Sequence, residues 1–323
     1  MRTTRPGSIA TAQPEGHGGA DWVQPLLAVV AAFGAYFCMY GLRKPFTAAT
    51  YPDAEAFGVG FKQALVISQV LGYTLSKFIG IRVVSEMPPR WRAAALAGLV
   101  LFAEAALVAF ALVPRPWNVA CLFLNGLPLG MVFGLVLAPL EGRRVTELLT
   151  AGLCASFILA GGVMKSTGVW LLNLGISETW MPAAAGAIYL GPLAVFTLML
   201  HAVKPPSAAD RVARCERRPM NGQDRRNFLA RYGGVVLAIV SVYVLTNAIR
   251  NLRDDFAPEI WRGLGVTAPP EVFTQTEFLV ALGVLASSGV AVVIRDNRRG
   301  FAFSLVVCTT GFGLLAAALG ARE

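Results

Sequence analysis

The stretch YFCMYGLRKPFTAATY, residues 36–51, decides how the chain is read. It closes an apolar run that begins near Val23, and within it Arg43 and Lys44 stand side by side ahead of Pro45. Hydrophobic and aromatic residues resume directly afterwards. Adjacent cations at the end of a membrane segment are costly, and they persist by snorkelling to the interface, by pairing, or by lining a wet cavity. For an isolated pair, an interfacial knot that closes the helix is the ordinary reading. An anion site becomes the better one once a second cation is found at similar depth.

The surrounding chain has the same texture. Of its 323 residues 55% are hydrophobic and only 15% charged, with a mean hydropathy of +0.59. Soluble domains carry about a quarter charged residues, so the charge deficit is the telling figure. Apolar segments fall at 23–50, 63–84, 93–113, 117–140, 148–172, 180–202, 232–256, 272–294 and 301–320, of a length that crosses a bilayer. The reading is an all-α polytopic membrane protein. Residues 1–22 read as a disordered cytoplasmic tail without a cleavage site, and 23–202 as an N-terminal six-helix bundle. Residues 203–231, rich in Arg, Pro and Asp, read as a cytoplasmic linker, and 232–323 as a partial second bundle of about three helices.

The net charge of +9 is a topology signal. With the N-terminus cytoplasmic, 18 of the 28 Lys and Arg lie on the tail and even-numbered loops, four on the opposite side, and six within the segments. Lipid headgroups, rather than nucleic acid, are the expected neighbours of that basic excess. The five cysteines lack metal or disulfide spacing, and His17 and His201 are the only histidines. No phosphate-cradling loop and no nucleophile–base pair is visible. The expectation is therefore a protein without metal, cofactor or enzymatic chemistry, and without direct use of ATP.

Several polar residues interrupt the apolar runs. Segment two carries Lys77 beside a face of Gly72, Ser76 and Gly80, and segment four has Gly126, Gly130 and Gly134 at the same spacing. Both patterns let helices approach closely. Glu104 lies near the middle of segment three, either as a functional carboxyl or as a neutral acid holding a neighbouring helix. Lys165 follows the Gly161-Gly162 pair about 25 Å from the start of its segment, which reads as a snorkelling position. Glu141 to Arg144 read as a local salt bridge at the interface. Segment seven supplies the second cation: Arg250 stands roughly 18 residues into its apolar run, at a depth comparable with Arg43, and Arg253 follows one turn later. Asp254 and Asp255 are the competing consideration, since they would neutralise Arg253 locally.

These residues together resemble the major facilitator superfamily, and within it the organophosphate:phosphate antiporters for glycerol-3-phosphate and hexose phosphates. Arg43, Lys44 and Phe46 match the family's Arg-Lys-x-Phe ending of helix one, and Ser76, Lys77 and Phe78 match its Ser-Lys-Phe. Arg250, Asp255, Phe256 and Pro258 match the pattern of helix seven, and Glu277 with Gly283 that of helix eight. The wording of YFCMYGLRKPFTAATY and LGYTLSKFIG is closer still to an uncharacterised bacterial family of facilitator-like membrane proteins.

The resemblance implies two helical bundles that rock around a midplane Arg43–Arg250 pair gripping phosphoryl oxygens. Lys77 adds charge, Tyr36, Tyr40 and Tyr73 complete the substrate-binding set, and Glu104, Glu277 and Lys165 are candidates for coupling or charge pairing. It implies a small anionic substrate and a multi-pass protein of the bacterial cytoplasmic (inner) membrane, working as a secondary transporter. A membrane sensor for such an anion, or a non-transporting truncated homologue, is the alternative. Two departures stand out. Phe157 and Ile158 occupy the region where the family has a substrate-binding histidine, and about nine helices stand against its twelve. If nine is the full set, a partner membrane protein is expected.

Overall fold

A computed structural model describes residues 23–52, 54–140, 146–203, 222–265, 269–294 and 296–320. The expected tail, most of the expected linker and the Glu141–Arg144 ion pair lie outside these residues. Ten α-helices are described: α1 Val23–Met39, α2 Phe61–Glu86, α3 Pro89–Leu112, α4 Val119–Leu137, α5 Thr146–Asn173, α6 Met181–Ala202, α7 Gly222–Asp255, α8 Ala257–Gly263, α9 Pro270–Val293 and α10 Asn297–Gly320. Six of them (α2, α3, α4, α6, α7 and α10) are long and apolar enough to cross a membrane. The chain is a helical, multi-pass membrane protein. Among the described residues the one β element is a hairpin of two-residue strands, β1 Glu55–Ala56 with β2 Val59–Gly60. Both turn residues, Phe57 and Gly58, have positive φ, the backbone that such a tight reversal requires.

The helices fall where hydrophobicity places them, with two informative exceptions. Segment one does not run as one helix to residue 50. It stops at Met39 and continues as two 3-10 turns, Tyr40–Leu42 and Pro45–Ala48, the second opened by Pro45, which has no N–H to donate to a continuing helix. At the other end, α7 begins at Gly222, inside the expected linker. Residues 222–231 include good helix formers with Asp224 in the first turn, where a carboxylate favours helix initiation.

Packing is densest in the first six helices. Along its length α2 lies on α4, α3 bridges α4 and α6, and α1 packs against α5 and α6. The two glycine faces read from the sequence are each other's partners. Gly72 receives the Phe123 carbonyl, Gly126 the backbone of Gln69 and Tyr73, and Gly130 the Tyr73 carbonyl and Ser76 side chain. A methyl at Gly126 would stand 2.9 Å from the Tyr73 nitrogen, so only glycine permits this crossing. The same holds between α5 and α9, where Gly162 accommodates the Phe273 carbonyl and the Glu277 side chain. Beyond α9, which packs on α5, the C-terminal part is open: the apolar windows of α7 and α10 bury none of their residues within the chain.

Candidate functional site

The broken end of α1 positions the site. Interrupting a helix inside an apolar bundle frees carbonyls that lipid cannot satisfy. Here side-chain amides satisfy them. Asn125 of α4 donates to the Leu42 carbonyl at 3.1 Å and to the Ala103 carbonyl at 3.1 Å. Gln69 of α2 donates to the Arg43 carbonyl at 3.0 Å and to Asn125 Oδ1 at 2.8 Å. Both amides are buried, and together they fix the backbone of Leu42 and Arg43 against α2, α3 and α4. Neither was singled out from the sequence, although an Asn and a Gln inside apolar runs are the signal that would have found them.

From this fixed backbone Arg43 and Lys44 diverge into two different environments. The Arg43 guanidinium lies 4.1 Å from the centroid of the Tyr73 ring and 5.4 Å from that of Tyr40, and donates to the Tyr40 hydroxyl at 3.3 Å. Its Nε is buried with no hydrogen-bond partner among the described residues. Lys77 shares the Tyr73 ring, with Nζ 4.8 Å from the centroid. Arg250 sits on Phe157 of α5 at 4.8 Å. Tyr36 links these groups, edge-on to Tyr40 at 5.5 Å, Phe133 at 5.4 Å and Phe157 at 6.4 Å. Arg43, Lys77, Arg250, Tyr36, Tyr40 and Tyr73 thus form one connected cluster. Phe157, which stands where the resembling family has histidine, is its unforeseen member.

Lys44 turns the other way, into an ion network that joins the N-terminal helices to the end of α7. Its Nζ pairs with Asp254 Oδ2 at 2.6 Å and with Asp255. Lys165 of α5 pairs with Asp254 Oδ1. Lys62, at the start of α2, binds Glu259 of α8 at 2.7 and 2.8 Å and donates to the Thr47 carbonyl at 2.8 Å. Arg253 meets Glu277 of α9 at 2.7 Å.

Two sequence expectations are corrected here. Lys165 does not snorkel. It is 1% exposed and held by a carboxylate from another helix. Asp254 and Asp255 do not neutralise Arg253, because neighbouring residues on a helix point about 100° apart; the aspartates turn to lysines and Arg253 turns to Glu277. The Gly161-Gly162 pair makes the approach feasible, since Asp254 lies over Gly161 and Glu277 over Gly162.

Glu104 belongs to neither cluster. Its carboxylate lies against Gly186 of α6, and Oε2 has no hydrogen-bond partner among the described residues. The described residues hold no group of three or more His, Cys, Asp or Glu arranged for a metal.

Over residues 45–321, from immediately after Lys44 through α10, the chain matches a family of unknown function (DUF5690), and it belongs to that family. No curated protein and no solved structure matches it.

Proposed function

We propose, from a family membership that leaves the activity open and from the site itself, that the chain is a secondary transporter of a small organic anion, with phosphate esters the first class to try. One observation carries this reading: the membrane-embedded cations sort into two groups. Lys44, Lys62, Lys165 and Arg253 each meet a carboxylate. Arg43, Lys77 and Arg250 meet aromatic rings, Arg43 also the Tyr40 hydroxyl, and among the described residues they form no ion pair. Asp255 is taken by Lys44. Aromatic faces supply about 0.5–2 kcal/mol to a cation, far below the cost of removing a charge from water. The deficit falls chiefly on Arg43, whose Nε is buried, since Arg250 is half-buried and Lys77 exposed. An incoming anion meets that deficit, and guanidinium groups offer phosphoryl or carboxyl oxygens a planar fork of donors.

The ion network supplies the second part of the reading. It ties α7, α8 and α9 to the N-terminal helices at the end where α1 and α7 finish. With the N-terminus cytoplasmic, as the loop charges indicate, this is the outward end of a protein in the bacterial inner membrane. The network then holds the outside shut. Rocking of the two parts about the arginines gives alternating access, driven by anion exchange or a coupled ion.

The test is thermal stabilisation of the detergent-purified chain by inorganic phosphate and a panel of organic phosphates and carboxylates. A ligand at a hundred times its Kd stabilises by about 2.7 kcal/mol. The reading requires a shift for one anion class that Arg43→Ala and Arg250→Ala each abolish. It also requires exchange of that anion across liposomes containing the protein, and binding without flux would identify a sensor instead.

A further inference from the structure

Beside the cation cluster lies a cavity of about 570 Å³, and its walls speak to the part of the anion that the arginines do not hold. The cavity begins at Lys77 and Phe133, both members of or neighbours to the cluster, and runs between α2 and α4. Ile81 and Val84 line it from α2, and Met131, Phe133 and Leu137 from α4, along the seam where Gly80, Gly130 and Gly134 bring the two helices together. Ser85 and Arg92 are the remaining polar residues of its lining, and Ser85 stands about two helical turns along α2 from Lys77.

The amides nearest the site are already committed. Gln69 and Asn125 are spent on each other and on the carbonyls of Leu42, Arg43 and Ala103, and the Tyr40 hydroxyl receives Arg43. Ser85 and Arg92 offer polar atoms to the cavity, but along the apolar stretch of Ile81, Val84, Met131, Phe133 and Leu137 a substrate's hydroxyls would lose water without gaining partners, and burying an unpaired hydroxyl is unfavourable. The rings of Tyr36, Phe133 and Phe157, by contrast, already meet edge-to-face and present the geometry in which a further ring packs well.

Resting on the anion-transport reading above, we infer that the organic part of the substrate is apolar, an aryl or short alkyl group, and not a polyol. The anionic head sits among Arg43, Lys77 and Arg250, and the apolar body extends into the α2–α4 cavity past Phe133.

The experiment compares two anions with the same head, phenyl phosphate and glycerol 3-phosphate, by thermal stabilisation of the full chain in detergent, with phenol and inorganic phosphate alongside. Phenyl phosphate is expected to reach half-maximal shift at a concentration roughly tenfold or more below that of glycerol 3-phosphate. Phe133→Ser and Val84→Ser, on different helices, each narrow that ratio, and Arg43→Ala abolishes both responses. Glycerol 3-phosphate binding as well as or better than phenyl phosphate, and lost in Arg43→Ala, overturns the apolar inference and leaves the anion site standing. A phenyl phosphate response that survives Arg43→Ala, or that phenol reproduces, also overturns it. No response to either ester or to inorganic phosphate overturns this inference, and the transport reading falls with it when the carboxylates of the panel are silent as well.

Discussion

The shared carboxylate of Asp254 offers the sharpest quantitative prediction. Asp254 holds Lys44 through one oxygen and Lys165 through the other, whereas Lys44 has Asp255 as well. Replacing Asp254→Asn therefore leaves Lys44 paired and Lys165 buried with no carboxylate among the described residues. Breaking a buried pair from one side costs about 3–5 kcal/mol, because the orphaned charge stays desolvated. Lys165→Met leaves Asp254 with Lys44 and costs less, about 1.5–3 kcal/mol for one charged hydrogen bond. In the double variant the orphan is gone. Its cost should not exceed that of Asp254→Asn alone, giving a coupling energy of about 2 kcal/mol or more. Unfolding of the four proteins by graded SDS in mixed micelles measures these differences as shifts in midpoint at constant slope. Additivity of the single effects within about 0.5 kcal/mol would refute a shared network.

Further outcomes follow from the site and the helix crossings. Arg43→Lys and Arg250→Lys should each weaken anion binding by about tenfold or more, since a point charge replaces a bidentate fork, with thermal-shift titration as the readout. Asn125→Leu removes three hydrogen bonds at the broken end of α1 and should cost about 1–3 kcal/mol of stability while also weakening anion binding, because the Arg43 backbone loses its anchor. Gly126→Ala and Gly72→Ala push a methyl against backbone rather than a movable side chain and should each cost about 1–3 kcal/mol. Gly98→Ala, which meets open space, should leave the melting temperature unchanged or raised.

Much of the architecture was legible because membranes impose a coarse code. Apolar length located the helices, and Pro45 after two cations marked the break in α1. Spacing by four flagged the faces of Gly72–Gly80 and Gly126–Gly134 but not that they meet each other, since a small face states closeness and not identity of partner. The error at Lys165 has a similar root. Counting 1.5 Å per residue gives the distance to a helix end, whereas the fate of the charge depends on what another helix carries at that depth. Lys62 and Glu259 escaped notice for the same reason: 197 residues separate them, and neither has a local motif. Phe157 was noticed as a departure, yet its role as the platform for Arg250 required the fold.

The ion network also has a direction in time. Lys44, Lys62 and Lys165 are made and inserted well before the ribosome reaches residues 254–259, which carry their carboxylates. Until then the early helices hold three ammonium groups with nothing to neutralise them. Such groups are costly in the bilayer interior and favour its aqueous edge. The nascent bundle is then expected to pack loosely around these positions until Asp254, Asp255 and Glu259 arrive to pair with them. Maturation of the first half waits on the second, so chains halted before residue 254 should be cleared by quality-control proteases faster than the finished protein.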